Sequence, residues 1–170
     1  NNAVGVAAVE SMLRAGIRVC MGNDGFSNAM WEEWKAGYFV HKLNQRDPRV
    51  MPATTIVQMA VYNNAALASQ VFDETVGVIK PGALADLIFV DYHPFTPINE
   101  GNLPWHIIMG FHESMINTTM VNGQLLMENR ELKTVDEENR SLVGFFCFLP
   151  VEKMKLSFQS LASFRDVTIY

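Results

Sequence analysis

This sequence of 170 residues has no long apolar run, only two cysteines and no excess of basic residues. A helix that crosses a membrane needs about 18 or more consecutive apolar residues. The longest candidate, residues 142–151, is interrupted by Gly144 and Pro150. The sequence therefore predicts no membrane span, although its 49% hydrophobic content is sufficient for a packed core.

The two cysteines, Cys20 and Cys147, lie far apart in apolar surroundings. This arrangement favours burial as small hydrophobic side chains over a disulfide or a metal-binding pair. A reducing, cytoplasmic location follows as an expectation. Acidic residues outnumber Lys and Arg by 18 to 13. Nucleic-acid binding is not expected, because it requires clustered basic side chains that neutralise phosphates.

The histidines also lack a pattern that indicates a metal site. A helical zinc site places two histidines four residues apart on one helix face. No pair here has that spacing, and we interpret all of them as surface or packing residues. They are His41, His93, His106 and His112.

One carboxylate, Asp24, follows a predicted helix-turn-strand unit. Residues 3–14 carry apolar side chains at helical spacing, and Gly16 is placed as the residue beyond the helix end. Residues 17–21 then predict a short strand that stops at Gly22. Asp24 lies just beyond the carboxyl end of this strand, where α/β barrels place catalytic groups. The alternative is a turn residue, since Asp and Gly are both common in turns.

Two helices are predicted after this strand. Asn28 can cap the first, with Glu32 and Glu33 near its positive end. Aromatic residues at helical spacing indicate a packing face on this helix: Trp31, Trp34, Tyr38 and Phe39. The second helix covers about residues 53–69, in which apolar residues share one face.

After Phe72 the helical period gives way to short strands and turns, which predicts a boundary near residues 71–76. Pro81-Gly82 is typical of a type II turn. A buried strand is predicted over residues 84–90.

A hairpin is predicted in the same β-rich region. Residues 115–121 and 124–127 flank Asn122-Gly123, and both turn residues tolerate the positive φ that a two-residue hairpin requires. The β-rich module extends from about residue 77 to residue 133.

Several of these segments resemble one family, in the order in which that family carries them. Residues 16–25, GIRVCMGNDG, resemble the eighth barrel strand of the amidohydrolase superfamily, although Asn23 replaces the usual Thr. Residues 59–65 resemble the helix after the barrel. Residues 77–88, GVIKPGALADLI, resemble the strand entry to the small domain, and residues 121–123 resemble its terminal hairpin.

Within this superfamily, the chain is most similar to the deaminase and chlorohydrolase branch, and there to aminohydrolases associated with selenium metabolism. Residues 22–28, Glu32-Glu33 and 97–103 carry this likeness. The implied α/β fold is the C-terminal part of a metal-dependent (β/α)8 TIM barrel followed by part of a small β-sandwich domain. The barrel part is expected over residues 1–72 and the small domain over residues 73–138.

The resemblance implies an enzyme in which zinc or iron activates water for attack on a ring carbon bearing an amino or halide leaving group. Asp24 matches the aspartate that serves as metal ligand and as proton acceptor. The family's other ligands, a His-x-His pair and histidines of the middle strands, are absent from this sequence. The chain is therefore expected to be an inactive C-terminal portion of a longer protein.

Two further residues are candidates for substrate contact, Asn28 and Trp31, because they follow the catalytic strand where a barrel enzyme shapes its pocket. Capping by Asn28 and packing by Trp31 are the structural alternatives. The substrate is expected to be a small heterocycle, and a homodimer is possible in this family. A second interpretation, a non-catalytic binding module with amidohydrolase architecture, stays open. Residues 139–170 diverge from the family and have no predicted structure.

Overall fold

The computed structural model describes residues 4–24 and 28–135. Its helical elements are α1 (Val9–Arg14), α2 (Met30–Gln45), α3 (Ala53–Val57), a π-helical segment (Gln58–Asn63), α4 (Asn64–Phe72), α5 (Leu103–Trp105), a second π-helical segment (His106–Gly110) and a 3₁₀ turn (Glu113–Met115). The strands are β1 (Leu87–Val90), β2 (Ile116–Val121), β3 (Gln124–Glu128) and β4 (Glu131–Leu132). The predictions for Cys147 and for the tail, residues 139–170, lie outside the described residues. Among the described helices, none has the length and apolar character to cross a membrane.

Helix α2 lies at the centre of the core because one of its sides carries large aromatic residues. Trp31 and Trp34 are only 4% and 2% exposed. Tyr38 is half-buried, whereas Phe39 is 52% exposed, so the packing face is narrower than the aromatic spacing indicated. The buried residues clustered with the two indoles come from α3, both π-helical segments, β1 and the loop before α3: Met51, Ala53, Ile56, Met59, Ala60, Val61, Ile88, Ile107 and Ile108.

The second predicted helix is present, and it is interrupted by π-helical geometry. It begins at Ala53, directly after Pro52 in an extended conformation. The π-helical segment Gln58–Asn63 separates α3 from α4, which ends at Phe72. Asp73 follows with a φ of 53°, a left-handed conformation that stops the helix. The helix thus ends where the sequence period changes.

The described strands form one antiparallel sheet in the order β1-β2-β3-β4. Asn122 and Gly123 connect β2 to β3 with φ values of 50° and 77°, which confirms the predicted two-residue hairpin. Buried Asp86 accepts a hydrogen bond from the Asn122 backbone N–H at 2.5 Å. Gly82 has a φ of 84° in the predicted turn.

Two local predictions were wrong in extent, and one predicted helix cap was wrong. Helix α1 begins at Val9 instead of residue 3, because Gly5 has a φ of 91° that an α-helix does not accommodate. The strand predicted from residue 84 begins only at Leu87, where pairing with β2 starts. Asn28 does not cap α2, whose N-cap residue is Ala29 without a side-chain cap hydrogen bond.

The predicted strand at residues 17–21 does not form in the described part of the chain. These residues belong to no helix, strand or turn. A strand needs a hydrogen-bonded neighbour, and the sheet of this chain uses other segments.

An aromatic contact chain connects the sheet half of the molecule to α2. The rings of Tyr92 and Phe111 lie 4.9 Å apart between centroids, and those of Phe111 and Trp31 lie 5.2 Å apart, both edge-on. Gly110 permits this packing because a Cβ atom there would lie 2.4 Å from the Tyr92 hydroxyl. The two halves therefore share one core.

The ion pair between Arg49 and Asp47 lies at the surface, and we expect it to depend on pH. Arg49 donates to Asp47 from its side chain, with Nη2 to Oδ2 at 2.8 Å and Nε to Oδ1 at 3.0 Å, and from its backbone N–H at 2.9 Å. These bonds lower the pKa of Asp47 from 3.8 to about 2. Because the folded pKa is depressed, the contact stabilises the fold above pH 3.8 and is lost as the pH falls towards about 2.

We expect an NMR titration of the Asp47 carboxyl carbon to give a midpoint of about 2. Arg49→Gln should raise that midpoint, because the guanidinium bonds are lost while the backbone bond remains. Arg46→Gln is the matched control and should leave the midpoint unchanged. An unchanged midpoint in Arg49→Gln would show that the ion pair does not form in solution.

Candidate functional site

The segment that leads to Asp24, residues 17–23, has no regular secondary structure, and residues 19–21 are half-buried. Val19 and Met21 pack against the core, whereas Ile17 is 55% exposed. Gly37 of α2 allows this approach, because a Cβ atom there would lie 3.2 Å from Met21 Cε and 3.3 Å from Ile56 Cδ1. Side-chain packing thus fixes one face of the segment.

Two consecutive asparagines hold the backbone of the same segment. Asn64 accepts a hydrogen bond from the Met21 N–H at 3.1 Å and donates one to the Met21 carbonyl at 2.8 Å. Asn63 donates to the Val19 carbonyl at 2.7 Å. The asparagine side chains therefore occupy hydrogen-bonding positions that a neighbouring strand would otherwise use.

Asp24 is exposed and has a φ of 51°. Aspartate tolerates this left-handed conformation better than most residues. Its carboxylate makes no hydrogen bond or ion pair with the residues that the structure describes. The backbone at Asp24 thus forms part of a turn, while its side chain makes no turn-stabilising contact there.

The two candidate substrate residues differ in their surroundings. Asn28 is exposed. Trp31 belongs to the core cluster, and its indole N–H has no acceptor among the described residues. Trp31 also lines a surface groove with Phe39, Phe111 and His112, and neither Asp24 nor Asn28 lines that groove. The structure therefore does not bring the three candidates into one described pocket.

The histidines are dispersed among separate local contacts. His41 is 8% exposed in α2. His106 lies between two hydroxyl groups, with Nδ1 2.8 Å from the Tyr92 oxygen and Nε2 3.2 Å from the Thr96 oxygen. His112 contacts Ser114 and Glu113. The Nε2 atom of His93 lies 3.4 Å from Oδ1 of Asp91.

A complete metal site is not formed by residues 4–24 and 28–135. No group of three or more His, Cys, Asp or Glu side chains in these ranges could hold a metal ion. A structural or catalytic zinc needs at least three protein ligands. The single carboxylate of Asp24 therefore does not fit a metal by itself.

Sequence reasoning missed the hydrogen bonds that Asn63 and Asn64 make with the segment before Asp24. The two asparagines were noted only as part of a likeness to a family helix. A usable signal was present, since Asn is unfavourable in helix interiors and two adjacent Asn residues there require a hydrogen-bonding reason. The partners were not predictable, because Asn64 and Met21 are 43 residues apart.

Comparison with known sequences decides the family. The sequence profile of the amidohydrolase family matches residues 1–126. The chain belongs to the amidohydrolase family. This confirms the resemblance found in the strand-end motif, the small-domain entry and the hairpin.

Curated relatives of this amidohydrolase chain include named deaminases. A 5-methylthioadenosine/S-adenosylhomocysteine deaminase of Dictyoglomus thermophilum is 39% identical over 140 residues, which cover 80% of this chain and 32% of the relative. A 5'-deoxyadenosine deaminase of Methanosarcina barkeri is 34% identical over 143 residues, with the same coverage of 80% and 32%. The chain thus spans about a third of the length of these relatives.

Solved structures share the fold at lower identity. An adenosine deaminase from Xanthomonas campestris with bound zinc has a TM-score of 0.67 and 20% identity, over 93% of this chain and 35% of that chain. Atrazine chlorohydrolase TrzN from Arthrobacter aurescens TC1, complexed with zinc, has a TM-score of 0.60 and 21% identity. The match covers 82% of this chain and 31% of the chlorohydrolase chain. This confirms an amidohydrolase fold of mixed helix and sheet.

Proposed function

We propose that this chain is the C-terminal portion of a metal-dependent amidohydrolase that hydrolyses a non-peptide carbon–nitrogen bond of a heterocyclic substrate. The observation that carries the proposal is the position of Asp24. Its exposed carboxylate follows a segment whose backbone is held at residues 19 and 21 and whose sequence matches the family's strand-end motif. The carboxylate is thus available to substrate.

Deamination is the reaction that we propose. Water adds to the ring carbon, a carbon–oxygen bond forms, and the carbon–nitrogen bond then breaks as ammonia leaves. Asp24 accepts a proton from the attacking water and passes it to the departing nitrogen, which leaves as ammonia; a carboxylate within hydrogen-bonding distance can catalyse such transfers. Two relatives that are 39% and 34% identical to this chain are named deaminases. The chlorohydrolase is only 21% identical to this chain, and its similarity therefore supports the fold alone.

We also propose that Asp24 is the one ligand that this chain contributes to a divalent metal, zinc or iron. Because one carboxylate does not make a metal site, the other ligands would belong to the full-length protein outside this chain. Residues 1–72 would then complete a (β/α)8 barrel, and residues 73–138 would form part of a β-sandwich domain. Asn28 and Trp31 are kept as candidate substrate residues.

The test is expression of the complete open reading frame, followed by metal analysis and an ammonia-release assay. We expect the full-length protein to contain zinc or iron and to deaminate 5′-substituted adenosines or related amino heterocycles, with chloro heterocycles as comparison substrates. The 170-residue chain alone should be inactive. Tight binding of heterocycles without turnover by the full-length protein would instead support a non-catalytic module.

A further inference from the structure

Three amide side chains in and beside the π-helical segment form a connected group, and two of them bond to the backbone of the segment that ends at Asp24. They are Gln58, Asn63 and Asn64, and we call them the amide clamp. Asn64 makes two hydrogen bonds with Met21, and Asn63 makes one with Val19. The bonded residues alternate along the backbone of this segment, so the clamp holds it at two positions.

The orientation of the Asn63 amide follows from its second partner. Gln58 donates from Nε2 to the Asn63 carbonyl oxygen at 3.0 Å. An asparagine amide has one carbonyl acceptor and one NH₂ donor. Because Gln58 donates to the acceptor, the NH₂ group is directed to Val19.

The π-helical geometry makes this arrangement possible. Gln58 and Asn63 are five residues apart, which is the hydrogen-bonding period of a π-helix. In an α-helix, at 3.6 residues per turn, residues five apart lie roughly 140° apart around the axis. The π-helical segment therefore brings the Gln58 donor beside Asn63.

We propose that the amide clamp is a positioning unit for Asp24, which deepens the proposed function and rests on it. The last clamped residue, Met21, lies three positions before Asp24. Asn64 fixes both the backbone N–H and the backbone carbonyl of Met21. This restricts where the following turn can place the Asp24 carboxylate. A misplacement of about 1 Å at a reacting group can cost about 100-fold in rate. The amide clamp would thus lower the activation barrier of the reaction without contacting the substrate.

The first test uses the 170-residue chain and needs no activity. In Asn64→Leu, amide hydrogen exchange at Met21 should become about tenfold faster, as expected for the loss of a hydrogen bond. Asn44→Leu, at an exposed residue of α2, is the matched control and should leave this exchange rate unchanged. If Asn64→Leu does not fold, exposed Gln58→Leu provides the test, with faster exchange expected in the 17–23 segment. Unchanged exchange in a folded variant would overturn the proposal.

The second test separates positioning from general stability in the full-length protein. Asn64→Leu should lower kcat about 10-fold to 100-fold with little change in KM. In the Asp24→Asn background, the same substitution should have almost no further effect, because the clamp acts through Asp24. Full additivity of the two effects would refute positioning. If Asp24→Asn alone leaves kcat unchanged, the proposed function itself is wrong.

Discussion

We expect Asp24→Asn in the full-length protein to lower kcat by about 100-fold to 10,000-fold, the range that positioned acid–base groups contribute. Asparagine keeps the size of aspartate and tolerates the left-handed backbone at φ 51°. The substitution therefore removes the proton-accepting charge and leaves the turn intact. The measurement is steady-state ammonia release, with the metal content of each variant determined in parallel.

Asp73→Asn is the matched control for this experiment. Asp73 is also exposed and has a nearly identical φ of 53°, at the end of α4. It should leave kcat unchanged, so a loss in Asp24→Asn alone cannot be attributed to the backbone conformation or to a lost surface charge. Unchanged activity and metal content in Asp24→Asn would refute the assigned role of Asp24.

Trp34→Ala should lower the free energy of unfolding by about 3–5 kcal/mol, the range for removing a buried large aromatic side chain. Trp34 is 2% exposed and lies in a cluster that draws residues from α2, α3, both π-helical segments and β1. Its removal should therefore leave a cavity in this cluster. Urea denaturation followed by circular dichroism measures the loss.

Trp34→Phe should cost less than about 1.5 kcal/mol, because it keeps an aromatic ring in place. The indole N–H of Trp34 is buried without an acceptor among the described residues. An unsatisfied buried donor costs about 1–3 kcal/mol, and its removal offsets part of the lost packing. An equal loss in Trp34→Phe and Trp34→Ala would contradict the packing role of the aromatic ring.

Local turn chemistry was predictable because it depends on neighbouring residues. Asn122-Gly123 and Pro81-Gly82 were assigned from their own φ preferences, and both turns formed. The end of the long helix at Phe72 likewise coincided with a change of period that is visible in sequence.

Predictions that depended on contacts with distant parts of the chain were less successful. Residues 17–21 have the alternation of a strand, yet a strand also requires a partner, and the described chain offers amide side chains instead. The burial of Trp31 against Phe111 likewise depends on a contact between segments that are distant in sequence, whereas a role of Trp31 in substrate contact stays a prediction.

Residue patterns were sufficient to predict the family, the two turns and the position of Asp24 as the carboxylate after residues 17–23. How that segment is held became visible in the folded chain. The deciding contacts join Met21 to Asn64 and Val19 to Asn63, which are 43 and 44 residues apart. Such contacts depend on how α2 and the π-helical segment pack, and no local preference of the chain encodes them.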